Sequence, residues 1–470
     1  MSSHISRALA VVACLFVCLA NMRAAEDRVA PVSQPSDDRY KADILLVIAH
    51  PDDETGDIAA YLARAIFDQH RRVAVVCVTR GNAGGNSVGK AHEGALAAER
   101  EIEARRALAF LEITNVWFLN GLDTPEEDVL SSLEHWDHGS VLGQVVRLIR
   151  LTRPEVIFTW LPDPVAGENH ADHQAASVVA TEAFDLAADP AAFAEQLAAP
   201  RKSLSIFAEG LSPWQPKKLY YYSDAYETGY IIQKPVPPSP FRKSFLDGVG
   251  PIYSTSELSP SRHVPYGRIS AEETSFYVTQ EGSIGKKALE TNDFRNFAAP
   301  VHLIFGKSLV KSRITDDVFQ GIVPGAAPFS PPHRQVDTGQ EPPLELGGAW
   351  AFYREFWKVH NIEHLAQLLP VPEMRSKPGA RIHIPLLIHN DSTRDHNLHL
   401  KSALPSMWSD ITPFQNYPVA ASGTYALEAD INIPESEPAG WKEVIWSLER
   451  EERKLGTTKM RVLVMKPGDQ

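Results

Sequence analysis

The chain has 470 residues, 44% hydrophobic and 22% charged, which describes an ordinary folded protein too long for a single core. A net charge of −13 excludes the basic footprint expected of a nucleic-acid binder. It does not exclude a charged sugar as ligand.

The first residues read as a secretory signal over residues 1–25. Arg7 supplies the positive start, Ala8–Ala20 the short apolar run, and Ala20, Ala24 and Ala25 the small residues of a cleavage site. The run is too short to span a bilayer comfortably. The mature chain is therefore expected to be exported, periplasmic or extracellular, without stable membrane insertion. Cys14 and Cys18 leave with the signal, and Cys77, inside an apolar strand pattern, reads as a small core residue.

Ile44–Ala49 has the length and content of a fully buried strand and turns abruptly into His50-Pro51-Asp52-Asp53-Glu54. Pro51 cannot continue a central strand, so this polar cluster sits past the strand's C-terminal end, where open α/β sheets place ligands. One imidazole and three carboxylates on one turn are costly unless something positive binds, and a divalent metal is the simplest candidate. The competing reading is that His50 and Asp53 only cap the helix that starts near Thr55.

Val73–Thr79 reads as a second buried strand, followed by the glycine-rich Arg80–Asn86. Gly81–Gly89 lacks the G-x-G-x-x-G spacing of a dinucleotide loop and fits better as a cover for the site. Ala91–Leu111 reads as a long helix, Val116–Leu119 as a short strand and Val141–Leu151 as a helix. Val156–Thr159 is a further strand and Trp160–Asn169 loop-like. His170 opens a helix that runs to Ala187, with His170 and His173 on one face, and Lys218–Tyr222 is another strand. This alternation implies an α/β fold, a Rossmann-like parallel sheet with helices on both faces. Both polar clusters then emerge on one sheet edge. Three protein ligands plus an open position is the catalytic zinc arrangement.

A-H-P-D-D-E at Ala49–Glu54 after a first strand, with H-x-D-H at His170–His173, resembles the PIG-L/LmbE-like deacetylases, which are zinc-dependent N-acetylglucosamine deacetylases. The likeness covers Asp43 to Tyr222 and reaches towards Ile322. It implies a deacetylase domain over residues 40–325, Zn2+ as cofactor bound by His50, Asp53 and His173, and Asp52 as the base that activates water. The implied substrate is an N-acetylated sugar or glycoconjugate. The family's R-x-x-E is matched by Arg100 and Glu103 and a later aspartate by Asp123, which makes Arg100 and Asp123 the implied sugar contacts. On the residues alone, Arg100 also suits pairing with Glu103 or Glu99, and Asp123 suits a turn before Thr124-Pro125. Phe276–Gln280 lies where the family often shows H-x-S-Q, from which Tyr277 and Thr279 depart.

Physically, adjacent Asp52 and Asp53 cannot easily aim at one point, so one can bind metal while the other takes a proton. His170 suits stabilising an oxyanion and protonating the leaving amine, with Asp172 or a neighbour holding its tautomer. The expected activity is removal of acetyl from an N-acetylated amino sugar or glycoconjugate. The alternatives are a non-catalytic metal-containing sugar-binding protein and a metal-dependent hydrolase of another amide. Intact Asp52 favours an enzyme, since a binding site has no need of a base. The oligomeric state is unknown from sequence.

Ala326–Pro343 is rich in Pro and Gly, and Ala349–Leu368 is helical, so residues 326–379 read as a linker with a short helix. From Ala380 to about residue 467, short runs alternate polar and apolar residues between Pro and Gly punctuation. That rhythm suggests an all-β sandwich resembling the Ig-like modules of secreted carbohydrate-active enzymes, with Leu404-Pro405-Ser406-Met407-Trp408 echoing their L-P-x-x-W turn.

Overall fold

The apolar runs Ile44–Ile48 (β1), Val73–Cys77 (β2), Asn115–Phe118 (β3), Val156–Trp160 (β4) and Lys218–Tyr222 (β5) lie parallel in one sheet. Ile252–Tyr253 (β6) and Val301–His302 (β7) form a small separate pair, and Ile304–Ser308 (β8) closes the main sheet antiparallel to β5. This computed structural model describes residues 38–56, 58–124, 128–162, 170–198, 210–223, 248–323, 341–368 and 371–465. The expected signal, Pro235–Pro240 and most of Ala326–Pro343 lie outside these residues.

Strand alternation feeds a core on each face. Leu45, Val47 and Ala49 join residues of the helices Val129–His135, His138–Thr152 and Ala171–Leu186. Ile44, Leu46 and Ile48 join Tyr61, Leu62, Leu108 and Ile269 on the other side. Cys77 is a free, buried member of the second core. The expected α/β class is thus the observed one, with a mostly parallel sheet. The strand order is β3-β2-β1-β4-β5-β8. The chain winds outward from β1 to β3, then returns to build β4 and β5 on the opposite side. The order reverses between β1 and β4, and a crevice opens beyond their C-terminal ends.

Some boundaries differ from the expected ones. Trp160 is the last residue of β4, not the first of a loop, because its backbone pairs with Tyr222. The expected helix from Ile269 to Leu289 is two helices, Tyr266–Thr274 and Gly282–Thr291, separated by a segment that reaches the site described below.

The described part of the expected linker, residues 341–368 and 371–379, packs into both neighbouring units. Tyr353 and Phe356 of the helix Ala349–His360, with Ile362 and Leu365, belong to the core shared with Ala171–Leu186. On either side, Leu344–Leu346 (β9) and Glu373–Ser376 (β10) pair into the C-terminal all-β unit. That unit contains Arg381–Asn390 (β11), His396–Ala403 (β12), Ser409–Asp410 (β13), Asn416–Val419 (β14), Gly423–Asn432 (β15), Gly440–Arg450 (β16) and Arg453–Val464 (β17). Its sheets, ordered β10-β17-β16-β12-β14 and β13-β15-β11-β9, share one apolar core that includes Leu344, Ile384, Leu386, Trp446 and Val462. The division expected at residue 380 therefore does not coincide with strand pairing. β9 and β10 are too short to carry a readable alternation. Among the described residues, no helix is long and apolar enough to cross a membrane.

Candidate active site

The crevice between β1 and β4 is organised around Asp53. Its Oδ2 accepts the backbone N–H groups of Ala49 and His50 at 2.8 and 2.9 Å, and the indole N–H of Trp160 at 2.7 Å. With Oδ2 so filled, Oδ1 faces two imidazoles, His50 Nδ1 at 3.4 Å and His173 Nε2 at 3.1 Å. Burial alone would raise the Asp53 pKa. The charges of His173 and His50, with their hydrogen bonds, hold it well below the usual carboxylate range. His173 lies in the first turn of Ala171–Leu186, its ring stacked on that of Trp160 at 4.0 Å and 8°.

The other nitrogen of His50, Nε2, lies 3.0 Å from Asp123 Oδ1 and 3.4 Å from Asp172 Oδ2. Asp172 also accepts the Thr124 backbone N–H and hydroxyl, both at 3.1 Å, and Asp123 accepts the Ala83 N–H at 2.5 Å. Burial would lower the His50 pKa, but Asp53 and the bonds to Asp123 and Asp172 raise it well above the ordinary value. Asp172, expected with its neighbours to hold the His170 tautomer, does so through its backbone N–H and not through its carboxylate. Its carboxylate faces His50 and Thr124, because a side chain in the helix's first turn reaches back across the crevice. Asp123, expected as a sugar contact, has its carboxylate engaged by His50 and Ala83.

A tetrahedral zinc with bonds of about 2.1 Å separates its ligands by about 3.4 Å. Asp53 Oδ1 stands at nearly that spacing from the facing nitrogens of His50 and His173, which gives two of the three edges that the donors of such an ion would span. The Nε2–H of His50, directed at two carboxylates, would leave its Nδ1 lone pair for a metal, the usual outer-shell arrangement for a ligating histidine. Two overlapping groups could each hold a metal ion: His50, His170 and His173, and His50, Asp123 and Asp172, with one donor atom per residue mutually within 4.8 Å.

His170 is the N-cap of Ala171–Leu186, and its Nδ1 accepts the Asp172 N–H at 3.3 Å. A neutral ring so bound carries its proton on Nε2. The residue is exposed, yet its ring packs 4.0 Å from His173 and 4.9 Å from His50. Desolvation against these rings, and then their charge, push its pKa down, so it is neutral.

Asp52 adopts a φ of +99°, a region that L residues rarely enter. Burial raises its pKa well above the usual range, Asp53 and Glu281 add to this, and Arg100 and His50 oppose it. The buried Arg100 does not pair with Glu103. Its guanidinium donates to the carbonyls of Gly81 and of Gly85, the latter at 2.8 Å. The loop closes over it at Gly81, where φ is +65° and a Cβ would lie 2.6 Å from Arg100 Nη1. Glu103 instead accepts the Thr279 N–H at 3.0 Å and hydroxyl at 2.7 Å.

Sequence reasoning missed Trp160 and assigned no role to Tyr277 or Gln280. Tyr277 donates its hydroxyl to Glu54, and Gln280 Nε2 donates to Pro51 O at 2.8 Å. Of the departures from H-x-S-Q, Tyr277 supports the His50–Glu54 turn, while Thr279 binds Glu103. The one available signal for Trp160 is an aromatic residue at the end of the strand that leads into the second polar cluster.

Residues 45–184 match the family described as PIG-L: GlcNAc-PI de-N-acetylase. Among curated relatives, 1D-myo-inositol 2-acetamido-2-deoxy-alpha-D-glucopyranoside deacetylase 1 of Frankia alni is 32% identical over 187 residues, 37% of this chain and 59% of the relative. The enzyme of the same name from Catenulispora acidiphila is 34% identical over 163 residues, 32% of this chain and 50% of the relative. The chain thus spans 50–59% of the length of these relatives. An N,N'-diacetylchitobiose deacetylase from Pyrococcus horikoshii aligns at a TM-score of 0.38 and 17% identity, over 59% of this chain and 88% of that one. Over residues 45–184, which hold both histidine clusters of the crevice, this chain is similar to the PIG-L family.

Proposed function

We propose that the chain is a zinc-dependent hydrolase that removes acetyl from an N-acetylated amino sugar or glycoconjugate, of the 2-acetamido-2-deoxyglucose type named for its relatives. The supporting observation is the donor set of His50 Nδ1, Asp53 Oδ1 and His173 Nε2, with Asp53 Oδ2 tied back by three N–H groups. Zinc held by these residues would supply a Lewis acid for the acetyl carbonyl and acidify water beside it.

Asp52 accepts the proton of the attacking water. The Nε2–H of His170 donates to the carbonyl oxygen as that oxygen gains negative charge. The amide C–N bond then breaks, the proton held on Asp52 passes to the amine nitrogen, and acetate and the free amino sugar leave. Arg100 and Asp123 contact the sugar in this proposal. The proposal also keeps export by the N-terminal signal and an Ig-like character for the C-terminal sheets.

Acetate release from a panel of N-acetyl sugars, with and without a chelator, tests the proposal. Chelator-sensitive release from an N-acetylglucosamine derivative is expected. No release from any substrate by a folded, zinc-loaded chain would overturn it.

A further inference from the structure

Trp160 touches two of the three proposed ligands at once. Its indole N–H donates to Asp53 Oδ2 at 2.7 Å while its ring lies flat against His173, 4.0 Å away and 8° from parallel. The residue is 2% exposed, and its ring also meets that of Tyr222, tilted, at 4.4 Å. Tyr222 in turn donates its hydroxyl to the Asp53 carbonyl at 3.3 Å. Trp160 therefore cannot move without disturbing the donor set, and the donor set cannot rotate without breaking contact with Trp160.

We infer that Trp160 is a positioning residue for the metal, which restricts Asp53 to binding through Oδ1 alone and fixes the plane of the His173 ring. The inference rests on the zinc site proposed above. A carboxylate whose two oxygens were both free could swing or bind through both. Here Oδ2 already has the Ala49 and His50 N–H groups in the plane of the turn, and the indole adds a donor from the opposite wall of the crevice. That contact links the β1 turn to the end of β4 at the carboxylate itself. The stack acts on the other ligand, since an imidazole pressed flat on an indole has lost rotation about χ2 before any ion arrives. Pre-paid order of this kind appears as metal affinity, and losing an outer-shell partner typically weakens metal binding by about 10–100-fold.

The test uses the full chain and two variants, W160F, which keeps a ring against His173 but has no N–H, and W160M, which fills volume with neither. Zinc dissociation constants come from chelator competition, and the cobalt-substituted proteins supply a visible spectrum that reports ligand geometry. A core variant, Val145→Ala, serves as a control for lost stability without contact to the site. W160F should bind zinc about 10–100-fold more weakly than wild type with an altered cobalt spectrum, W160M at least as weakly, and Val145→Ala normally. If either Trp160 variant is folded and binds zinc within about twofold of wild type, or if Val145→Ala loses as much affinity, the inference is overturned. A wild-type chain that binds neither zinc nor cobalt would instead overturn the proposed metal site itself.

Discussion

Replacing Asp52 with glycine should stabilise the metal-free protein while abolishing acetate release. At φ +99° the Asp52 backbone lies outside the left-handed region centred near +57°. A residue held in so sparse a region costs about 1–3 kcal/mol. Glycine adopts this φ freely but loses about 0.5–1 kcal/mol to its larger unfolded-state entropy. The backbone term therefore favours glycine by about 0–2.5 kcal/mol. The charge term separates cleanly, because Asp52→Asn removes the carboxylate that Asp53 and Glu281 repel yet keeps the strained backbone. Comparing Asp52→Gly with Asp52→Asn isolates the strain. In thermal unfolding with chelator present, the glycine variant should melt higher, by about 2–4 °C for each kcal/mol in a unit of about 150–250 residues. A glycine variant no more stable than the asparagine variant would refute the claim that this turn stores strain at the base.

Two further outcomes concern the attachment of Ala349–His360. Phe356 is 4% exposed within the α/β core, so Phe356→Ala should cost about 3–5 kcal/mol of α/β-unit stability in urea unfolding, and a cost near zero would mean the helix is only a tether. Asp185 meets His360 Nδ1 at 2.6 Å and Lys307 Nζ at 2.8 Å; burial would raise its pKa, but the His360 bond and the Lys307 charge hold it below the usual range. The wild-type advantage over Asp185→Asn should be full above the unfolded-state pKa of about 4 and disappear as pH falls through the depressed folded-state value. An advantage that grew on acidification would contradict this sign.

The sequence makes legible what burial or its interruption writes locally. Ile44–Ala49, Val73–Thr79 and Lys218–Tyr222 read as strands because a sheet covered on both faces needs continuous apolar runs. His50–Glu54 and His170–His173 stand out because polar groups break those patterns at strand and helix ends. Partnerships set by topology are not legible. His50 and Asp172 are 122 residues apart, and Trp160 and Asp53 are 107 apart. They meet only because β4 is laid beside β1. That the Asp123 and Asp172 carboxylates converge on His50 is for the same reason not written at either position. The apolar face of Ala349–His360 is visible in the sequence, but which of two units it covers is decided by packing alone.

The most direct test of the central claim is the zinc content of the purified wild-type chain, Asp52→Asn and Asp53→Asn, measured side by side by elemental analysis. The site as built predicts about one zinc per chain in wild type and Asp52→Asn, and much less in Asp53→Asn. Equal zinc loss in both variants, or no zinc in a folded wild-type chain supplied with it, would contradict the division between ligand and base on which the account rests.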